Sequence, residues 1–259
     1  MKAELACIPC IMKQAYNTAL RATDTHAERL EIMRRVADYV KTVDFTLSPA
    51  DSSNAVYRIA REVPGKADPY EKDKRYYNEL CLGMLPDLRH RIEETGDPIG
   101  ASARAAILGN LIDLGIGLEF DLDRDLKRIF DMPFGVDDTP LLREVVTAGN
   151  ASILYLGDNA GEIAFDRLLV ERLAEKNKVT FVVKTGPIIN DATMDDARTV
   201  GITDLVDVIE TGSDGIGVKW SEVTETFLKR YREADIIISK GQGNFETMSG
   251  KKGVKFFLL

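Results

Sequence analysis

A chain of 259 residues can form one large domain or two smaller ones, and its 44% hydrophobic and 29% charged residues are ordinary for a soluble globular protein. The net charge of -8 argues against broad nucleic-acid binding, because phosphate backbones are held by an excess of Lys and Arg. No apolar run approaches the roughly 20 residues that span a bilayer, and MKAELACIPC lacks the apolar core of a signal peptide, so the expectation is a cytoplasmic protein without nucleic-acid or membrane partners.

From about Ile8 to Gly149 the chain reads as successive helices: Cys10 to Arg21, Ala27 to Val43, Ala50 to Glu62, Tyr70 to Glu94, Ile99 to Leu114, Asp123 to Phe130 and Pro140 to Ala148. Ser48-Pro49 and Asp97-Pro98 each set a capping side chain before a first-turn proline, while Gly96, Gly115 and Gly149 stand where helices stop. VPGKADPY, from Val63 to Tyr70, is a turn-rich loop, and EKDKRYYNEL after it reads as a solvated helix face. Cys7, Cys10 and Cys81 are too few for a disulfide framework. The Cys7-Ile-Pro-Cys10 pair has no second Cys or His pair to complete a zinc site, and reads as half-buried thiols at a helix start. His26 and His90 are the only histidines, which leaves no three-histidine site and no nearby partner for a Ser-His-Asp triad.

The period changes at Ala151. Strand-like runs occur at Ser152 to Leu156, Val179 to Val183, Leu205 to Ile209, Asp235 to Ser239 and Val254 to Leu258, with helical stretches at Ala160 to Lys176, Thr193 to Val200 and Ser221 to Ala234. The connections have room for crossovers and favour parallel pairing. The fold class expected is α/β: an all-helical domain over residues 1–149, then a Rossmann-like three-layer domain over 150–259 with a mainly parallel sheet. The closing GVKFFLL reads as a strand that stops without a cap or tail, so the expectation is a chain truncated at this point.

Parallel sheets bind ligands beyond the carboxyl ends of their strands. Four polar turns fall there: GDNAGE from Gly157 to Glu162, KTGPIIND from Lys184 to Asp191, TGSDG from Thr211 to Gly215, and SKGQGNFE from Ser239 to Glu246. Asp, Asn and Asp from adjacent turns are hard oxygen ligands suited to Mg or Mn. The glycine-rich fourth turn beside Lys240 suits a phosphate cradle of backbone N–H groups and one point charge. Each turn also has a purely structural reading. Asn159 with Glu162, and Thr193 with Asp196, fit capping boxes, Asp191 fits a cap one turn early, and Gly241 and Gly243 fit a tight turn. Helix starts need one capping oxygen each, and this edge carries more.

A dinucleotide site fits poorly, since GDNAGE replaces GxGxxG and sets an acid where the pyrophosphate would approach backbone. The Walker pattern GxxxxGK followed by Ser or Thr is absent, as is the DxDx followed by Thr or Val of haloacid-dehalogenase-type phosphatases. A cation between the acids and an anionic ligand removes the objection.

LGDNAGEIAFD, KTGPIINDATMDDA and SKGQGNFET, preceded by CIPC and DPYEKDKRYYN, resemble the damage-control phosphatases, formerly domain of unknown function 89, in their archaeal and bacterial branch that carries the CxxC. The resemblance covers nearly the whole chain. It implies a helical domain on an α/β domain, a divalent metal (Mn, Mg, Co or Ni), and hydrolysis of phosphate monoesters of small metabolites such as sugar phosphates or phosphopantetheine-like compounds. It further implies Asp158 and Asn159 as a metal-binding pair, Asp191 as the third ligand, and Lys240 as a phosphate contact. On the combined reading Gly241, Gly243, Asn244 and Asn190 complete the substrate site, water attacks in line, and Glu162, Asp195 and Asp214 are the candidates to orient it. From the helical domain, Asn54, Arg58, Lys72, Arg75 and Asn78 are candidates to reach the pocket. The competing functions are an S-adenosylmethionine-dependent methyltransferase and a non-catalytic phosphometabolite-binding protein.

Overall fold

The structure, a computed structural model, describes residues 1–109, 130, 132–253 and 255–259. Its first five helices are α1 (Cys7–Ala22), α2 (His26–Val40), α3 (Pro49–Glu62), α4 (Glu71–Glu93) and α5 (Pro98–Leu108), followed by a helix over Thr139–Ala148. The expected caps are present: Ser48 Oγ accepts from Asp51 N at 3.1 Å, and Asp97 Oδ1 from Gly100 N at 3.1 Å. The expected helix over Asp123 to Phe130, apart from Phe130, and the last turn expected after Gly109 lie outside the described residues.

The second half alternates strands and helices. Strands β1 (Ser152–Leu156), β2 (Lys178–Val183), β3 (Asp207–Glu210), β4 (Ile236–Lys240) and β5 (Lys255–Leu258) form one parallel sheet in the order β3-β2-β1-β4-β5. The order reverses between β1 and β4, which opens a crevice beyond their carboxyl ends. The strand expected over Leu205 to Ile209 begins later, because main-chain bonds from Leu205 N and Val206 N to Ile202 O fold those residues into a turn. The helix expected over Ser221 to Ala234 also starts late, at Glu225, where Thr224 caps it by accepting from Phe227 N. A short helix, Gln242–Met248, occupies most of the glycine-rich fourth turn.

Both faces of β1 and β4 are covered, so these strands read as continuous apolar runs rather than alternating ones. On one face Ile153, Tyr155, Phe181, Ile236 and Ile238 pack against α4, α5 and the helix Glu162–Ala174. Leu154, Leu156, Val182 and Ile237 pack on the other face with Phe227 and Met248. The largest core therefore joins helices from the first half of the sequence to the sheet of the second. Each large side chain removed from water there contributes about 1.5–3 kcal/mol. A separate cluster of Ile11, Ile32, Val36, Val56 and Tyr57 holds α1, α2 and α3 together, and Ile188 from the loop after β2 completes it.

The charged start of α4 is not uniformly solvated. Lys72 and Arg75 are exposed, but Lys74 and Asn78 are buried. Lys74 Nζ lies 2.9 Å from Asp196 Oδ2, and Asn78 Nδ2 donates to Asp196 Oδ1 at 2.8 Å. Asp196 also closes the expected capping box with Thr193. One stripe of α4 is thereby pinned to the sheet edge.

Candidate functional site

Two main-chain segments build the floor of the crevice. Past β1 the chain runs through Asp158 and Asn159, and past β2 it loops through Asn190 and Asp191. Ala192 N donates to Asp158 O at 2.7 Å and Ala160 N to Asn190 O at 2.8 Å, so Asn159 and Asp191 face each other as an antiparallel bridge. The loop turns where Asp191 N donates to Ile188 O at 3.0 Å. Ile189 inside that turn has φ +45°, a left-handed backbone costing a β-branched residue about 1–2 kcal/mol. Packing of Ile188 and Ile189 into the α1–α3 cluster offsets that strain.

The third wall is Gly241, the residue after β4. At φ +76° it is already in glycine's territory, and a Cβ built on it would stand 1.9 Å from Asp158 Oδ2. The Asp158 carboxylate is therefore seated directly against this backbone. Burial, then the carboxylates of Asp191 and Glu162, push Asp158 well above the usual carboxylate range, against the partial relief given by Lys184 and Lys240. Lys184 is itself buried, its Nζ 3.5 Å from Asp191 Oδ2 and bonded to Gly217 O.

Asn159 does not cap the helix after β1. That helix starts at Glu162 behind Gly161, whose N donates to Asn78 Oδ1 at 2.6 Å. Asn159 Nδ2 instead donates to Asp158 Oδ2 and Glu162 Oε2, each at 3.1 Å, which leaves Oδ1 as the end suited to a cation. Among the described residues no three His, Cys, Asp or Glu side chains are placed to hold a metal ion by themselves, so two carboxylates with an amide oxygen are the donor set this edge offers. Hard, crowded and desolvated oxygens of that kind fit a divalent cation.

Lys240 and Asn244 stand behind this floor rather than on it. The expected strand ended at Ser239, whereas β4 includes Lys240, and the alternation that buries Ile236 and Ile238 carries Lys240 to the same face. Its Nζ donates to Ala106 O at 2.7 Å and to Asp166 Oδ1 at 2.8 Å, and pairs with Glu162 Oε1. Burial disfavours the ammonium, but Asp166 and Glu162 outweigh it and hold the group above its ordinary value. Asn244 Nδ2 donates to Gly157 O at 3.1 Å and Lys240 O at 2.9 Å, tying the β1 and β4 turns together.

A cavity of about 640 Å³ lies over the floor, within the range of small-molecule sites. Asp158, Asn159, Asn190, Asp191, Gly241 and Gly243 line one side. Polar side chains from α1 and α3, including Gln14, Thr18, Ser53 and Tyr57, line the other. Of the candidates from the first-half helices, Asn78 braces Gly161 and Asn54 Oδ1 accepts from Ile216 N at 2.8 Å, so both support the edge without lining the cavity. Arg58 is exposed, as are Lys72 and Arg75. Asp195 is exposed on Arg198, and Asp214 is paired with Arg61. Burial works against Asp214, yet the Arg61 hydrogen bond and charge hold it below the usual carboxylate range. Glu162 is engaged by Lys240 and Asn159.

Sequence reasoning named neither Lys184 nor Glu246 as a site residue. Lys184 follows β2 directly, and a cation next to an acidic turn is the signal that could have found it. Glu246 lines the cavity and accepts from Ala50 N at 2.9 Å and Gln242 Nε2 at 3.0 Å. No local pattern announces it, because its partner lies on α3.

The profile of the damage-control phosphatase ARMT1-like domain matches residues 4–259. A damage-control phosphatase of Pyrococcus horikoshii is 31% identical over 264 aligned positions, covering 100% of this chain and 90% of its own length. One of Archaeoglobus fulgidus is 32% identical, covering 96% and 88%. An uncharacterized protein of Methanocaldococcus jannaschii is 33% identical, covering 96% and 84%. Among solved structures, a DUF89 family protein from Pyrococcus horikoshii superposes with a TM-score of 0.90 at 30% identity, covering 99% of this chain and 90% of that one.

Proposed function

This chain belongs to the damage-control phosphatase ARMT1-like family, and from that premise we propose that it is a metal-dependent phosphatase acting in the cytoplasm on phosphate monoesters of small metabolites, sugar phosphates or phosphopantetheine-like compounds. One observation carries the reading. Asp158, Asn159 and Asp191, far apart as two turns in sequence, are locked by main-chain hydrogen bonds into one oxygen-rich floor under a cavity of metabolite size.

Asp158, Asn159 Oδ1 and Asp191 would hold the cation. When bound, a Mg-, Mn-, Co- or Ni-class ion supplies a Lewis acid that lowers the cost of charge on phosphoryl and water oxygens. The chain's own residues do the rest. Gly241 and Gly243 line the cavity beside Asp158, which puts their backbone within reach of a phosphoryl group. Lys184 Nζ lies 3.5 Å from Asp191 Oδ2, and both Lys184 and Lys240, buried behind the floor, offset part of the charge on Asp158. Gln14, Thr18, Ser53 and Tyr57 give hydroxyl and amide partners to a polar leaving group. Among the described residues, Asp195 and Asp214 are turned away from the cavity and Glu162 is doubly engaged. Positioning and electrostatics therefore contribute most of the acceleration.

The test is phosphate release from a generic aryl phosphate by chelator-stripped protein, with Mg, Mn, Co and Ni returned separately, for wild type and Asp158→Ala. Turnover should require metal and fall by at least about 10²-fold in the variant. Full turnover in Asp158→Ala would refute the assignment. Saturable phosphate binding without turnover under any metal would leave a binding protein in its place.

A further inference from the structure

The CIPC motif is left unused by the site just described, yet the fold brings it to the same cavity. Cys7 is the first residue of α1 and Cys10 lies one turn on, and both line the cavity that holds Asp158 and Asp191. Cys10 is exposed and Cys7 half-buried, which puts the pair at the mouth. Neighbours three apart on a helix have Cβ atoms about 5–6 Å apart, and a disulfide needs about 3.5–4.5 Å. The first turn of α1 can make that adjustment. Cys7 N and Ile8 N donate to Glu4 O and Leu5 O, outside the helical ladder, and Pro9 has no N–H to lose. Ala6 provides no side-chain cap that would have to be broken.

We propose that Cys7 and Cys10 form a reversible disulfide that sets the entrance of the cavity according to the surrounding thiol–disulfide balance. The oxidant is a low-molecular-weight disulfide of the oxidised glutathione class. Cys10, the more exposed thiol, loses its proton to water and attacks one sulfur, expelling the first glutathione as thiolate. Cys7 then loses its proton and attacks the Cys10 sulfur, expelling the second. One S–S bond breaks and one forms, two protein thiols are oxidised, and one small disulfide is reduced to two thiols. Closing the pair moves the first turn of α1, and the following turns of the same helix carry Ile11 and Gln14 on the cavity wall.

Cys81 supplies an internal control. It is fully buried, and burial followed by the Glu162 carboxylate pushes its thiol up to about 12, so it stays unreactive in the native protein.

The experiment counts reactive thiols and measures intact mass after incubating the folded chain in glutathione buffers of graded redox ratio. The expected result is loss of both reactive thiols with a fall in mass of two hydrogens, reversed by dithiothreitol. Cys7→Ser should instead retain a glutathione adduct on Cys10. A persistent adduct on wild type, or an unchanged thiol count, would overturn the disulfide. The entrance role rests on the phosphatase reading and has its own readout: KM for the aryl phosphate should differ several-fold between oxidised and reduced wild type and not between the two treatments of Cys7→Ser with Cys10→Ser. Equal KM in both states would overturn that role. Absence of turnover in both states would count against the phosphatase reading alone, since thiol count and mass do not depend on it.

Discussion

Gly241→Ala is the substitution that tests how closely the β4 turn seats Asp158. A Cβ at this position would lie 1.9 Å from Asp158 Oδ2, and real Cβ contacts essentially never fall under 3.0 Å. The carboxylate must therefore retreat by about 1 Å, or the turn must open by as much. Misplacing a reacting or ligating group by ~1 Å costs about 10²-fold, equivalent to about 2.7 kcal/mol of transition-state stabilisation. Alanine at φ +76° adds a backbone penalty of ~1–2 kcal/mol to folding. The expected signature is a loss of kcat/KM near 10²-fold with weaker activation by metal, alongside a modest fall in thermal stability. Metal-dependent hydrolysis of an aryl phosphate, isothermal titration of Mn and thermal denaturation read these separately. A variant within about twofold of wild type in kcat/KM and Mn affinity would refute the claim that this glycine positions Asp158.

Two further substitutions probe what lies around the site. Lys240→Met leaves Glu162 and Asp166 buried without their cation, and removing one side of a buried ion pair costs about 3–5 kcal/mol; a loss under about 1 kcal/mol in urea denaturation would show that this network does not hold β4 to the helix Glu162–Ala174. In the same variant Asp166, held at about 6 by burial and Glu162 against Lys240, should rise further, which carboxyl titration by NMR would follow. Glu171 gives the pH test. Burial raises it, but the hydrogen bonds and charges of Arg89 and Arg167 prevail and hold it below its ordinary 4.5. A depressed acid binds fewer protons folded than unfolded, so its stabilisation is present above pH 4.5 and is lost as pH falls through the folded value. Glu171→Gln should therefore lose less stability than wild type on acidification below that point; identical acid limbs in thermal melts would contradict the assignment.

Much of the architecture is written locally. Ser48-Pro49 and Asp97-Pro98 announce helix starts because capping oxygens and a first-turn proline act within one turn. The apolar runs that became β1, β2 and β4 are legible for a related reason, since a parallel strand covered on both faces is uniformly hydrophobic. Once the strands are parallel, the turns holding Asp158, Asn159 and Asp191 must fall on one edge with two other polar turns, and it is the family resemblance that singles out those three residues among them.

What the sequence could not decide is where side chains turn once layers meet. Lys240 reads as part of a loop, yet one more residue of strand pairing with Leu258 puts it on the pleat of Ile236 and Ile238, and its ammonium points into the core. Lys74 and Asn78 look like part of a solvated charged face until Asp196, over a hundred positions away, meets them. Glu246 and the CIPC pair acquire a place only when α1 and α3 close over the sheet edge. Periodicity and caps are short-range effects and survive in a one-dimensional reading. The partners of a buried charge are set by which distant segments share its desolvated space, and that is fixed by tertiary packing alone.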